Sequence, residues 1–141
     1  MTLPLSQSLG IPAATYESRR RIIRMLGGNG LRSGGQVLVD QLRIHGVGTI
    51  FCVPGESYLT VIDALHDARN EIKTVACRQE GGATNMAEAY GKLTGRPGVA
   101  MVTRGPGACN GSIGVHTAMQ DSTPMVLSLI HISEPTRLAT I

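Results

Sequence analysis

A single acidic residue stands where a predicted strand gives way to a helix that begins with glycine. It is Glu80, in the segment Cys77-Arg78-Gln79-Glu80-Gly81-Gly82-Ala83. A second strand-to-helix turn follows downstream, with the sequence Thr103-Arg104-Gly105-Pro106-Gly107-Ala108-Cys109-Asn110-Gly111. Glycine has no Cβ, so a turn this rich in glycine leaves space beside its backbone. One carboxyl next to such a turn indicates a pocket for a flat polar heterocycle.

Simpler roles exist for the same residues. Glu80 could form a surface ion pair with Arg78 or act as an acid near the start of the following helix. The glycines could form an ordinary turn, with Asn110 as the N-cap of the next helix. The residues alone leave these alternatives open.

Strand and helix patterns alternate from Gly35 to Val126. Apolar residues at helical spacing end at His45-Gly46, and a short buried strand over 49–53 ends at Pro54-Gly55. Ser57 is the expected N-cap of the next helix. A strand over 72–76, a helix over 81–93, a strand over 98–102, a helix from about Asn110 to Met119 and a strand from Met125 follow. This alternation predicts an α/β fold with a doubly wound, mostly parallel sheet and helices on both faces.

Three turns are expected at one edge of that sheet. They are 54–56, 80–82 and 105–107, and each follows the carboxyl end of a predicted strand. Ligands of open parallel sheets bind beyond those ends. The pattern therefore predicts that the three turns form one site.

Composition excludes several classes of protein. A chain of 141 residues suits one domain, and its net charge of +3 reflects an arginine cluster within residues 1–33, which leaves 34–126 near neutral. No basic face for nucleic acid is therefore expected. Three cysteines without metal-type spacing argue against a disulfide framework or zinc site, so a reducing cytoplasm is expected. No apolar run approaches the length of a membrane span.

The two ends of the chain differ from its middle. Residues 1–33 are expected to be a disordered N-terminal extension. After Val126 the chain has the sequence Leu127-Ser128-Leu129-Ile130-His131-Ile132-Ser133-Glu134-Pro135-Thr136-Arg137, which corresponds codon by codon to a transposon-type sequencing adapter. We therefore expect a native domain over 34–126, a non-native tail over 127–141, and a truncated parent protein.

The middle of the chain resembles a known family. Residues 35–126 are similar to the N-terminal pyrimidine-binding domain of thiamine-diphosphate enzymes of the acetolactate synthase and pyruvate oxidase group, which is flavodoxin-like. The matching stretches, in order, are 35–46, Phe51-Cys52-Val53-Pro54-Gly55-Glu56-Ser57, Arg78-Gln79-Glu80, 87–98, 103–110 and Asp121-Ser122-Thr123-Pro124.

The resemblance implies a catalytic role for Glu80 and a cofactor. In the family a glutamate donates to a pyrimidine ring nitrogen and favours the imino tautomer, whose nitrogen then removes the thiazolium proton. Glu80 matches this residue, and the positions expected to bind the cofactor are Pro54, Gly55, Glu80, Gly105, Pro106, Gly107 and Asn110. Mg²⁺ and the diphosphate would be held by a missing C-terminal domain, and FAD is possible in the full-length protein.

The resemblance also implies an activity and an assembly. The parent would decarboxylate a 2-oxo acid of the pyruvate class and transfer the acyl carbanion, in a homodimer or homotetramer with the active site between subunits. The fragment alone is expected to be inactive. No membrane or nucleic-acid partner is implied.

The chain departs from the family at three positions. Glu56 stands where a second glycine is frequent, and Gln79-Glu80-Gly81 replaces the His-Glu-Gln common in acetolactate synthases. Two alternatives to the enzyme remain. The loose fingerprint formed by Gly105, Gly107 and Gly111 fits a nucleotide-binding α/β domain, and the fold also suits a non-catalytic flavodoxin-like interaction domain.

Overall fold

The structure, a computed structural model, describes residues 32–129. Its elements in chain order are α1 (Gly34–Ile44), β1 (Thr49–Cys52), a 3₁₀ turn (Glu56–Tyr58), α2 (Leu59–Asp67), β2 (Lys73–Ala76), α3 (Glu80–Thr94), β3 (Gly98–Met101), α4 (Pro106–Gln120) and β4 (Met125–Ser128). The predicted N-terminal extension up to Leu31 and the predicted tail from Ile130 lie outside the described residues.

The four strands form one parallel sheet in the order β2-β1-β3-β4. The chain moves from β1 outward to β2, then crosses back over β1 to β3 and continues to β4. Because parallel crossovers are right-handed, this reversal places α2 on one face and α3 and α4 on the other. The predicted doubly wound α/β fold is confirmed.

The face covered by α1 and α2 carries the main aliphatic core. Its strand residues are Ile50, Cys52, Val99 and Met101, and α2 adds Val61 and Leu65, all of them buried. Burying an aliphatic side chain of this size stabilises a fold by about 1.5–3 kcal/mol. The core therefore fixes the sheet to which the candidate site is attached.

The opposite face is packed by small residues. Ala83 and Ala87 of α3 are fully buried, and a Cβ added to Gly98 would lie 1.8 Å from the backbone oxygen of Ala87. Helix α3 therefore lies so close to β3 that only glycine fits at position 98. This contact fixes the depth at which α3, and Glu80 at its start, lies on the sheet.

Two local predictions are wrong. Ser57 does not cap α2, because it lies in the 3₁₀ turn and is buried with no hydrogen-bond partner for its hydroxyl among residues 32–129. The N-cap position of α2 falls on Tyr58. Asn110 is not an N-cap, because α4 begins four residues earlier, at Pro106. Proline is well suited to the first helical position, since its fixed φ matches the helix and it has no N–H to leave unpaired.

Strand β4 extends slightly beyond the predicted domain boundary. Met125, where a strand was expected to begin, pairs with Gly98, and the pairing continues to Ser128 beside Met101. The boundary at Val126 stays a prediction. Within residues 32–129, no helix is both long enough and apolar enough to span a membrane.

Candidate active site

The candidate site lies at the carboxyl edge of the sheet, where β1 and β3 are neighbours. These two strands lead to helices on opposite faces, so a crevice opens between their ends. The turn that begins at Pro54 follows β1, and the turn at Gly105 follows β3. Helix α3 begins at the same edge.

Glu80 is the first residue of α3. The preceding residue, Gln79, is the N-cap, and its side-chain oxygen accepts a hydrogen bond from the Gly82 N–H at 3.0 Å. The Glu80 carboxyl is half-buried at the N-terminal end of α3. Within residues 32–129 it forms no ion pair with Arg78 or any other cation, so the surface ion pair is not formed there.

Asn110 connects Glu80 to α4. Its Nδ2 donates to Glu80 Oε2 at 3.1 Å, across 30 positions of sequence. One carboxylate oxygen is therefore engaged and oriented. The other oxygen, Oε1, lies toward Gly107, where an added Cβ would be 3.4 Å from it.

Gly107 provides the space beside that free oxygen. A Cβ at this position would also lie 2.7 Å from Thr103 Oγ1, which is closer than real Cβ contacts come. Gly105 has a different function, because its φ of 63° lies in the region that favours glycine. Its conformation reverses the chain before Pro106 starts α4 at the first helical position. Gly105, Pro106 and Gly107 are thus each required for a different structural reason.

The β1 turn packs against the β3 turn through Thr103. A Cβ on Gly55 would lie 2.1 Å from Thr103 Cγ2, while Gly107 faces the hydroxyl of the same residue. The half-buried Thr103 therefore sits between the two glycine turns. Pro54 is exposed just before Gly55, and Glu56 is exposed just after it. Thr103 is absent from the predicted site residues, because nothing local in the sequence distinguishes it from a strand-end threonine.

Tyr58 is a second residue that the sequence reasoning missed. Its buried hydroxyl donates to the backbone oxygen of Val53 and lies 3.4 Å from the backbone oxygen of Met101. Burial raises its pKa, and the charges of Cys52 and Glu80 raise it further. Tyr58 therefore joins the ends of β1 and β3 under the crevice as a neutral donor. One signal in the sequence could have indicated Tyr58. It follows Pro54-Gly55 closely, in a chain that has only three tyrosines and one phenylalanine.

Helices α3 and α4 cross at a threonine and two glycines. A Cβ on Gly114 would lie 2.4 Å from Thr84 Oγ1, and one on Gly111 would lie 3.1 Å from Thr84 Cγ2. Thr84 is one helical turn after Glu80, so this close crossing brings the carboxylate within reach of Asn110. Gly111, part of the loose nucleotide-binding fingerprint, thus packs between helices.

The arrangement fits the pyrimidine half of thiamine diphosphate. A flat ring beside Gly107 would meet Glu80 Oε1, which has no partner among the described residues, while Asn110 holds the other oxygen. A carboxyl in this position can share a proton with a ring nitrogen. Within residues 32–129 there is no cluster of three or more His, Cys, Asp or Glu side chains suited to a metal ion.

Comparisons with known proteins identify the family of this chain. The family model described as the thiamine pyrophosphate enzyme N-terminal TPP binding domain matches residues 32–137; thiamine pyrophosphate and thiamine diphosphate are the same compound. The acetolactate synthase large subunit of Parasynechococcus marenigrum (strain WH8102) is 45% identical over 105 residues, which are 73% of this chain and 17% of that protein.

Two further relatives carry similar names. The acetolactate synthase isozyme 2 large subunit of Escherichia coli (strain K12) is 40% identical over 103 residues, covering 73% of this chain and 18% of the relative. The acetolactate synthase of Bacillus subtilis (strain 168) is 44% identical over 93 residues, covering 66% and 16%. The chain thus spans less than a fifth of the length of these relatives. Because the family model covers most of the chain, including all of the crevice, the chain belongs to the thiamine pyrophosphate enzymes, in which it forms the N-terminal cofactor-binding domain.

Proposed function

We propose that this domain binds the aminopyrimidine ring of thiamine diphosphate, with Glu80 as its catalytic acid. The observation that carries the proposal is the pairing of Glu80 Oε2 with Asn110 while Oε1 faces the space at Gly107. Pro54, Gly55, Gly105 and Pro106 shape the crevice around the ring. When bound, thiamine diphosphate supplies the electron sink for decarboxylation of 2-oxo acids.

Each residue of the site has a defined task in this proposal. Glu80 holds a proton at Oε1 and shares it with a ring nitrogen, which makes the amino group of the ring a better base. Asn110 keeps the carboxyl from rotating by donating to Oε2. The glycine at 107 lets the ring approach Glu80 Oε1 closely, because it has no Cβ to occupy that space.

The whole enzyme is proposed to be similar to acetolactate synthase. It would decarboxylate a 2-oxo acid of the pyruvate class and transfer the acyl carbanion, in the cytoplasm. The names of the relatives support this activity. Mg²⁺ would bind with the diphosphate in the C-terminal domain, and the central domain would be the place for FAD if the enzyme uses it.

We place a second subunit over the outer surface of α3 and α4, giving a homodimer or homotetramer with the active site between subunits. Support comes from large apolar side chains exposed on these two helices, Met86, Leu93, Ile113 and Met119, of which Leu93 is 86% exposed and Met119 70%. Large apolar side chains exposed to this extent are often buried at interaction sites. This surface begins beside Glu80, where Ile113 borders Gly81.

The test is Glu80→Gln in the full-length enzyme that carries this domain. Glutamine keeps the shape but cannot transfer the proton, so turnover should fall by roughly 100-fold or more. Cofactor binding should fall much less, because the ring still fits. Stopped-flow and steady-state rates with pyruvate measure the first quantity, and calorimetric titration with thiamine diphosphate measures the second.

Glu88→Gln is the matched control for this experiment. Glu88 is two turns further along α3 and accepts hydrogen bonds from Thr123 and Lys92 instead of facing the crevice. The same chemical change there should leave turnover nearly unchanged. Unchanged turnover in Glu80→Gln would remove Glu80 from the proposed role.

A further inference from the structure

The residues on either side of Glu80 are the two at which the chain departs from the family's His-Glu-Gln. Gln79 has extended backbone angles, and its side chain folds back to accept the Gly82 N–H at 3.0 Å. Glutamine is an unusual N-cap, because the preferred residues have shorter side chains. Its longer side chain places the carboxamide over the first turn of α3.

Gly81 is the residue that this carboxamide covers. A Cβ at position 81 would lie 2.8 Å from Gln79 Oε1, and it would also lie 3.2 Å from the Asn110 backbone oxygen and 3.2 Å from Ile113 Cγ2. Any side chain at 81 would therefore push against the cap on one side and α4 on the other. A Cβ at 81 would therefore require the Gln79 carboxamide to move from the position in which it accepts the Gly82 N–H.

We propose that Gln79 and Gly81 form one positioning unit, in which the Gln79 cap fixes the first turn of α3 and Gly81 lets α4 approach, so that Asn110 reaches the Glu80 carboxylate. Neither residue needs to touch the reacting atoms; both act through Glu80. The inference rests on the proposed function of Glu80, but the geometry of the Glu80–Asn110 pair can be measured without the cofactor.

The first residue of a helix has more conformational freedom than the residues that follow it. Without a cap, the first turn of a helix frays because its N–H groups have no partner. Glu80 is in that turn, and its carboxylate accepts a hydrogen bond of 3.1 Å from Asn110 on α4. A small movement of the Glu80 backbone would therefore break this hydrogen bond. Removing the cap should therefore separate Glu80 from Asn110 while the rest of α3, held by Thr84 and Ala87, stays in place.

The experiment follows the Asn110 side-chain amide by NMR in the full 141-residue chain during a pH titration. In the unsubstituted chain its resonances should shift as Glu80 takes up a proton, because the amide donates to that carboxylate. Gln79→Ala should abolish this shift. Gln79→Asn, which restores a standard N-cap, should keep it.

A second N-cap elsewhere supplies the control for stability. Ser33 caps α1 and accepts the Gln36 N–H at 3.2 Å, far from Glu80 in the sequence and on another helix. Ser33→Ala should lower the urea midpoint by an amount comparable to Gln79→Ala, yet leave the Asn110 shift intact. Retention of the full shift in Gln79→Ala would overturn the inference.

Dependence between the two residues is tested by a double-mutant cycle. Gly81→Ala should lower the urea midpoint less in the Gln79→Ala background than alone, because one of its clashes has been removed. Strictly additive effects would overturn the claim that they act as a unit. If Gly81→Ala alone does not fold, Gln79→Ala and Gln79→Asn still decide the positioning role. Failure of the proposed catalysis would appear as retained turnover in Glu80→Gln, so the two failures are distinguishable.

Discussion

At the scale of single residues, the site is formed by a few side chains whose neighbours determine their chemistry. Glu80 has one oxygen engaged by Asn110 and one directed toward Gly107. An exposed glutamate in water would sample many rotamers, and the cap and the amide remove that freedom. The side chain is thus oriented before a ring arrives, which reduces the cost of binding.

Ser57 gives a prediction at the same scale. Its buried hydroxyl has no hydrogen-bond partner in the part of the chain that the structure describes, and an unsatisfied buried polar group costs about 1–3 kcal/mol. Ser57→Ala removes that group without opening a large cavity. It should therefore raise the free energy of unfolding by about 1 kcal/mol, as measured by urea denaturation.

Another serine provides the contrast. Ser33→Ala removes a hydroxyl that caps α1 and should lower the free energy of unfolding by about 1 kcal/mol. If Ser57→Ala is as destabilising as Ser33→Ala, the Ser57 hydroxyl has a partner in solution and our account of it is wrong.

At the scale of elements, the close crossing of α3 and α4 is what assembles the site. Glu80 and Asn110 are 30 positions apart and meet because Gly111 and Gly114 allow α4 to lie against Thr84. Tyr58 and Thr103 likewise connect the chain segments that follow β1 and β3. Small residues at the helix crossing thus determine the distance between Glu80 and Asn110 in the crevice.

Gly114→Ala tests the helix crossing. The new Cβ would lie 2.4 Å from Thr84 Oγ1 and 2.6 Å from the Thr84 backbone carbon, and the backbone cannot yield cheaply. We expect a loss of about 1–3 kcal/mol in the free energy of unfolding, measured in urea, with weaker contact between Glu80 and Asn110. Gly82→Ala is the control on α3, since nothing lies within 4 Å of its added Cβ, and the helical preference of alanine should make it neutral or stabilising. Equal stability of the two variants would contradict a tight crossing.

At the scale of the whole molecule, the chain matches only a small share of the length of its relatives. It covers 17% of the Parasynechococcus relative. We therefore predict that the 141-residue chain alone is inactive and binds thiamine diphosphate weakly, through the ring alone. Calorimetric titration with and without Mg²⁺ measures this. Micromolar, Mg²⁺-dependent binding would contradict it.

Alkaline pH should destabilise the fold through buried acids. Burial raises the pKa of Cys52, with a further contribution from Cys77, and burial likewise raises the pKa of Tyr58 above its ordinary value of 10.0. Above that ordinary value the unfolded chain releases the Tyr58 proton while the folded chain keeps it. Stability contributed by neutral Tyr58 is therefore complete below pH 10 and declines as pH rises beyond it.

Tyr58→Phe separates this effect from other alkaline effects. At pH 7 the variant should lose about 1 kcal/mol, because the hydrogen bond to Val53 is absent. Between pH 10 and 11 its free energy of unfolding, measured in urea, should fall less steeply than that of the unsubstituted chain. Parallel pH profiles would show that the Tyr58 hydroxyl does not contribute to alkaline unfolding.

The sequence by itself determined the α/β alternation, the parallel sheet and the three turns at its carboxyl edge, because these follow from local periodicity and from glycine and proline positions. It also placed Glu80 where the chain passes from β2 to the glycine-started helix α3, and it identified the glycines around it. Only the tertiary structure decided the start of α4 at Pro106, the buried position of Ser57, and the contacts of Thr103, Tyr58 and Thr84. The contacts of Thr103, Tyr58 and Thr84 depend on packing between residues far apart in the chain, such as Gly55 with Thr103 or Thr84 with Gly114, and no local pattern records how closely two elements will approach.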